Sequence, residues 1–401
     1  MILLGSFLHR RELAEIIGRS LEDRPSPEDA RNLKIIVNFN SYIVRHYSNT
    51  FADQFFHDIL GEEAQSFPAK TKGVLKDLIV QNPPFTNPRI EEIITRYHKF
   101  PEDFYRETPF EGQVYVVGDP PKYVGSRRIK RVRRIAEKCA RRIIDYMMEQ
   151  IRQRADELAT ERASRLGIPK ERLITPPDQM IQEYLHAERR VLKSIRDGLF
   201  VAAMPQFYID DIVGFRALVD AGTGEKVDEI LRNCSNLSLV DAKEFSGKFN
   251  ARNMVFAYRV EKDKLIENPP NEATCKVLIS RGVAESQEGI LNLYREFVRT
   301  GEEHVRFEIL LNDYQELLES EIGKSMHEEH IRAQREKAEY ETRLAANVEA
   351  LMIFLFAYAL SGESDWKELP IKLRGTYLPD YYESVLRALY MSPTGSLGLT
   401  M

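Results

Sequence analysis

The chain has 401 residues, enough for two or three domains that each bury a core. A hydrophobic share of 43% with 30% charged residues describes a globular chain and excludes a disordered one, and a net charge of −5 excludes a general attraction to nucleic acid or anionic membrane. Cys139, Cys234 and Cys275 are odd in number and far apart, which excludes a disulfide framework and a thiolate zinc site and fits a reducing, cytoplasmic setting. Residues 1–8 are apolar but are cut short by His9-Arg10-Arg11-Glu12, and the longest apolar run, 350–360, is too short to span a bilayer. No membrane partner is expected.

Residues 1–178 read as a mainly helical domain. Leu13, Ile16 and Ile17 have helical spacing. Ser26 suits an N-cap and Pro27 the first position of a long helix carrying Leu33, Ile36, Val37 and Phe39. Pro83-Pro84 and Pro101 break the helices that follow. A strand is expected over 113–117, closed by Asp119-Pro120-Pro121. Next comes a long basic helix from about Ser126 to Ser164, with one apolar stripe from Ile129 to Met147. Its 126–142 portion presents Arg127, Arg128, Lys130, Arg131, Arg133, Arg134, Lys138, Arg141 and Arg142.

The pattern changes in a second domain, 179–344. A helix over 179–196 leads to a short buried strand over 214–220, a helix over 226–233, and strands over 237–245 and 254–261. Another strand is expected over 275–280, then an amphipathic helix over 285–299, a strand over 304–311 and a charged helix to about Glu341. Residues 345–401 form a C-terminal helical segment. The fold class is therefore α+β: a mixed sheet with helices packed on it, flanked by helical regions at both ends.

Two carboxylates stand out. Asp211 opens the strand at Ile212-Val213-Gly214-Phe215-Arg216, and Glu308 lies inside Val305-Arg306-Phe307-Glu308-Ile309-Leu310-Leu311. A charge in a buried strand is costly unless it is paired or holds a metal. Two such acids on neighbouring strands would hold one Mg²⁺ through oxygen and leave positions for phosphates; a solvated strand end accounts for either acid alone.

The run Tyr208-Ile209-Asp210-Asp211-Ile212-Val213-Gly214-Phe215-Arg216 resembles the strand of RelA/SpoT-type alarmone synthetases in which an Asp is followed five residues later by an Arg. Upstream, Arg189, Arg190, Lys193, Ser194 and Arg196 stand where that family has a basic phosphate-binding stretch. Downstream, Glu308, then Ser320-Glu321-Ile322-Gly323, then His327 keep the order and spacing of the family's last strand and following helix. The resemblance covers about 182–335. The family's base-stacking segment is matched only by Lys248-Phe249-Asn250-Ala251-Arg252-Asn253, which lacks the family's Ser and His. Leu310 and Asn312 replace its Gln and Arg.

The resemblance implies a nucleotidyltransferase core that transfers pyrophosphate from ATP to the 3′-hydroxyl of a second nucleotide or an RNA end. Mg²⁺ would sit on Asp211 and Glu308, which are also the expected catalytic pair. The implied nucleotide-binding residues are Arg189, Arg190, Lys193, Ser194, Arg216, Lys248, Phe249, Arg252, Glu321 and His327. The altered stacking segment motivates a second expectation, an inactive nucleotide- or RNA-binding protein that keeps the fold. A third is a scaffold whose flanking helices make a homo-oligomer. The basic helix would contact RNA, or would be a solvated face salt-bridged to the acidic remainder. His327-Glu328-Glu329-His330 misses the four-residue histidine spacing of a zinc helix.

Overall fold

The computed structural model describes residues 1–219, 223–247, 250–323, 343–363, 369, 372 and 373. It is α+β, built on a mixed seven-stranded sheet with helices packed around it. The strands are β1 (Ile2–Leu4), β2 (Gln65–Thr71), β3 (Pro109–Val117), β4 (Lys122–Ile129), β5 (Phe207–Ile209), β6 (Val213–Leu218), β7 (Leu237–Phe245), β8 (Ala251–Arg259) and β9 (His304–Asn312). The large sheet runs β2-β3-β4-β6-β9-β8-β7, and β1 pairs with β5 in a small parallel sheet. Among the described residues only β6 and β9 are parallel neighbours in the large sheet, with Gly214 opposite Glu308 and Arg216 opposite Leu310. The other neighbours in that sheet are antiparallel.

One face of the sheet is closed by α2 (Asp29–Leu60). Phe51 on this helix meets Phe215 of β6 at 4.8 Å and Phe307 of β9 at 4.7 Å between ring centroids, tying helix to sheet at its centre. Behind α2 lies α13 (Arg343–Ala359), whose mean character is apolar and which packs against α2 and α5 (Val132–Arg165). The second face is closed over β2, β3 and β4 by α3 (Lys72–Gln81), α4 (Pro88–Lys99) and α12 (Tyr314–Leu318). Leu75, Ile79, Ile90, Ile93, Tyr97, Tyr314 and Leu317 pack there on Val114, Val116 and Tyr123. Thr71 and Asn87 cap α3 and α4 by accepting from the backbone N–H of Val74 and Ile90.

Several expectations are corrected. The basic segment is not one helix from Ser126. Residues 122–129 form β4, in which every second residue is buried, and α5 starts at Val132. Ile129, read as the start of a helical stripe, belongs to the strand's period of two. The stretch 275–280 lies in α10 (Glu272–Ser280), started by Asn271, whose side chain accepts from the Thr274 N–H. A short apolar run does not by itself separate strand from helix, and the cap decides. The α2 helix begins at Asp29 rather than Pro27, and the Asp29 carboxylate accepts from the Ser26 N–H at 2.8 Å. The helix after β9 ends at Leu318 and passes into a π-turn, Glu319–Gly323. Its expected continuation to Glu341 lies outside the described residues, as does the C-terminal segment beyond residue 373. Strands β2, β3 and β4 come from the first 178 residues yet share one sheet with β6 to β9, so residue 178 does not divide the sheet.

Among the described residues no helix is long and apolar enough to cross a membrane.

Candidate functional site

Where the cover of α3, α4 and α12 ends, the second face of the sheet opens into a cleft of about 540 Å³. Its floor is Asp241 and Lys243 of β7, Asn253 and Val255 of β8, and Glu308 of β9; these are consecutive partners across the sheet. One wall is α5 from Arg134 to Asp145. The end is closed by the turn from β5 to β6, which carries Asp210 and Asp211. Asp211 therefore precedes β6, which starts at Val213, instead of opening it.

Glu308 lies on a central strand, between β6 and β8, and is half-buried. Asn253 donates to its Oε1 at 2.9 Å and Arg128 of β4 donates to its Oε2 at 3.3 Å. Arg128 reaches Glu308 by crossing β6 at Gly214: a Cβ there would lie 2.8 Å from the arginine Nε. Asp211 is held by Lys130, at 2.9 Å from Oδ2, and by Lys138 on the same oxygen. Burial opposes the charge on Asp211, but Lys130, Lys138 and Arg128 outweigh it and hold the carboxyl well below the ordinary carboxylate range. Arg128 faces both Asp211 and Glu308, so one guanidinium couples the two acids. Burial, then the nearby Arg128, push the Lys130 ammonium down to about 7.

Asp210 turns beside them. Its Oδ2 lies 3.8 Å from Arg306, whose guanidinium stacks at 3.7 Å over Tyr208. Its Oδ1 is buried without a hydrogen-bond partner. The segment after β1 presses on this turn: Gly5 donates to the Ile209 carbonyl and accepts from the Arg306 N–H. A Cβ on Gly5 would lie 2.2 Å from the Asp210 Oδ1, so the approach requires glycine.

A narrower crevice continues the same face toward α3. There Glu321 takes Arg216 at 3.0 Å and buried Lys72 at 2.7 Å. Across the face, each acid thus stands against basic side chains: Glu321 against Lys72 and Arg216, Glu308 against Arg128, and Asp211 against Lys130 and Lys138.

No family model, curated protein or solved structure matches the chain. The reading of the site rests on its residues.

The structure brings Asp211 and Glu308 into one cleft and places Arg216 and Glu321 in the crevice beside it. It does not bring the others there. Arg189, Arg190 and Lys193 are exposed on α6 (Pro177–Arg196), and Ser194 donates to the Val191 carbonyl of that helix. Arg252 lies on the opposite face of β8, where it pairs with Asp228 of α8 (Thr223–Asn233) at 2.6 Å. Lys248, Phe249 and His327 lie outside the described residues.

The basic segment divides. Arg128, Lys130 and Lys138 face the acids of the cleft. Arg133 and Arg134 pair with Glu137, and Arg141 pairs with Asp145, as a helix laced by its own acids would. Sequence reasoning missed Asp210, Asn253, Asp241 and Lys243. Only period-two alternation in β7 and β8, read against the position of Glu308, would have found the last three.

Among the described residues no group of three or more His, Cys, Asp or Glu is arranged to hold a metal ion. A two-carboxylate site remains compatible with the donors present. Asp211 and Glu308 offer hard oxygen ligands to a divalent cation.

Proposed function

We propose that the cleft binds the polyphosphate of a nucleoside triphosphate such as ATP with Mg²⁺, and transfers a pyrophosphoryl group to the hydroxyl of a second nucleotide or an RNA 3′-end. The observation that carries this reading is the pair Asp211 and Glu308 at one end of an open sheet face, surrounded by Arg128, Lys130 and Lys138. A divalent cation taken up by the two carboxylates would release Arg128 and Lys138 to phosphate oxygens. The RelA/SpoT-like order of Asp211, Arg216, Glu308, Glu321 and Gly323 supports the same reading.

Asp211 and Glu308 would hold the metal, which when bound neutralises charge on the phosphates. The chain's own residues do the rest. Arg128 and Lys138 exchange their carboxylate partners for phosphate oxygens, the guanidinium offering two parallel donors. Asn253 fixes the Glu308 carboxylate, whose free lone pairs accept the proton of the attacking hydroxyl. Arg216 stays on Glu321 and braces β6 behind the site; it is not a phosphate clamp in this arrangement.

Calorimetric titration with ATP and Mg²⁺ tests the reading. Binding is expected, with a loss of roughly ten-fold or more in Asp211→Ala, since about 1.4 kcal/mol corresponds to a factor of ten. Equal binding by wild type and variant would rule the site out. AMP release from ATP in the presence of a nucleotide acceptor tests transfer, and Glu308→Gln should abolish it while binding persists.

A second reading has its own observation. Asp211 is fully engaged by two lysines, and the altered 248–253 segment lacks the family's Ser and His. A binding protein that keeps the cleft but not the chemistry would take up ATP and release no AMP.

A further inference from the structure

The last strand of the large sheet, β7, is an open edge. Among the described residues it pairs in the sheet with β8 alone, and every residue from Ser238 to Phe245 is exposed. Leu239, Val240 and Phe245 are large apolar side chains left 56%, 42% and 45% exposed on it. A strand of nine residues with unpaired backbone groups and apolar side chains is a template for another strand. Its own sequence, Leu237-Ser238-Leu239-Val240-Asp241-Ala242-Lys243-Glu244-Phe245, carries the complement.

In antiparallel pairing of β7 with itself, residues that face each other turn their backbone groups the same way, both toward the partner strand or both away from it. Around Asp241, Ala242 and Lys243 this leaves registers whose twofold axis passes through a residue. An axis at Asp241 sets Asp241 against Asp241. An axis at Lys243 sets Lys243 against Lys243. Like charges directly opposed are destabilising. An axis at Ala242 sets the smallest side chain of the strand against itself and places Asp241 opposite Lys243 twice. In that register Phe245 of each copy lies over the Leu239–Val240 irregularity of the other, where the β7–β8 pairing shifts by one residue.

We infer that β7 is a homodimer interface, formed by antiparallel β7–β7 pairing centred on Ala242, with a second copy of this chain as the occupant. Apolar contact at the two ends and two Asp241–Lys243 ion pairs at the centre set the register. The sheets of the two copies become continuous. Asp241 and Lys243 line the cleft, so each cleft gains the partner copy's Lys243 at its mouth. Within one chain Asp241 and Lys243 lie 3.0 Å apart, so pairing turns two isolated ion pairs into a four-charge ring. The inference does not depend on the reaction assigned to the cleft.

Light scattering coupled to size exclusion, on the full chain, is the test. The wild-type mass should double as protein concentration is raised. Asp241→Lys and Lys243→Asp, which each oppose like charges in both pairs, should stay at monomer mass over the same range. The double variant Asp241→Lys/Lys243→Asp should recover the doubling. Circular dichroism establishes that each variant is folded. Should a variant misfold, hydrogen exchange of the wild type alone decides: β7 amides should become protected at high concentration and not at low. A wild type that stays monomeric without β7 protection, a dimer indifferent to either single swap, or a double variant that fails to recover would each overturn the inference.

Discussion

At Lys130, burial and the neighbouring Arg128 lower the ammonium pKa from 10.5 to about 7. Between those values the unfolded chain binds a proton that the folded protein releases. Stability therefore rises with pH across that window, and the full cost of the buried charge is present below about 7. In urea denaturation, wild type should gain stability from the lower to the upper end of this window relative to Lys130→Met. Equal pH slopes in the two proteins would show that the ammonium is not strained. Asp211 acts in the acid range with the same direction of slope. Its carboxyl is held below the ordinary value of 3.8, so its contribution is present above that pH and is lost as pH falls through the depressed value. Asp211→Asn should flatten the acid limb and destabilise the protein near neutrality, because it leaves Lys130 and Lys138 facing each other without a carboxylate. Of these residues, the sequence pointed to Asp211 through its position before an apolar strand. The lysines were visible only as members of a charged run, because their destination depends on how β4 and α5 fold back on the turn before β6.

Among the elements, β4 decides most about the site. It delivers Arg128 across β6 to Glu308 of β9, and the crossing depends on the missing side chain of Gly214. Gly214→Ala should cost little stability, since the obstructing atom belongs to a flexible side chain. It should weaken ATP–Mg²⁺ binding by roughly ten-fold, the loss of one charge-assisted hydrogen bond of about 1.5–3 kcal/mol. Calorimetry with unchanged thermal unfolding would establish this; unchanged affinity would place Arg128 outside the binding surface. The same strand was misread from sequence. Arg127-Arg128-Ile129-Lys130-Arg131 has no strand-like composition, and its alternation becomes meaningful only when one face meets the core and the other meets acids. By contrast, β9 and α11 (Gln287–Thr300) were legible. An apolar run bounded by charges and a wide amphipathic stripe with Ser286 as its cap each carry their own signal.

For the whole molecule, the two cores lie on opposite faces of one sheet, and Phe51 is central to the larger. Its ring touches Phe215, Tyr258 and Phe307 on three adjacent strands. Phe51→Ala should destabilise by about 3–5 kcal/mol, read from denaturant unfolding. Because β2, β3 and β4 complete the sheet that β6 begins, a fragment starting at residue 179 should fail to fold. Near-ultraviolet circular dichroism should show no fixed aromatic packing in that fragment; a folded spectrum would restore the domain boundary expected from sequence.

The sequence by itself determined the α+β class, most helices, and the strands β6 to β9 though not β5 or the helical nature of 275–280, because periodicity, caps and prolines are local signals. It also marked Asp211 and Glu308 as acids in costly positions. Tertiary structure alone decided that the first 130 residues supply three strands to the same sheet, that Arg128, Lys130 and Lys138 converge on those acids, and that Arg189, Arg190, Lys193 and Arg252 do not. The physical reason is that strand pairing and charge convergence join residues far apart in the chain. A residue's spacing records which side of its own element it faces, not which distant element lies there.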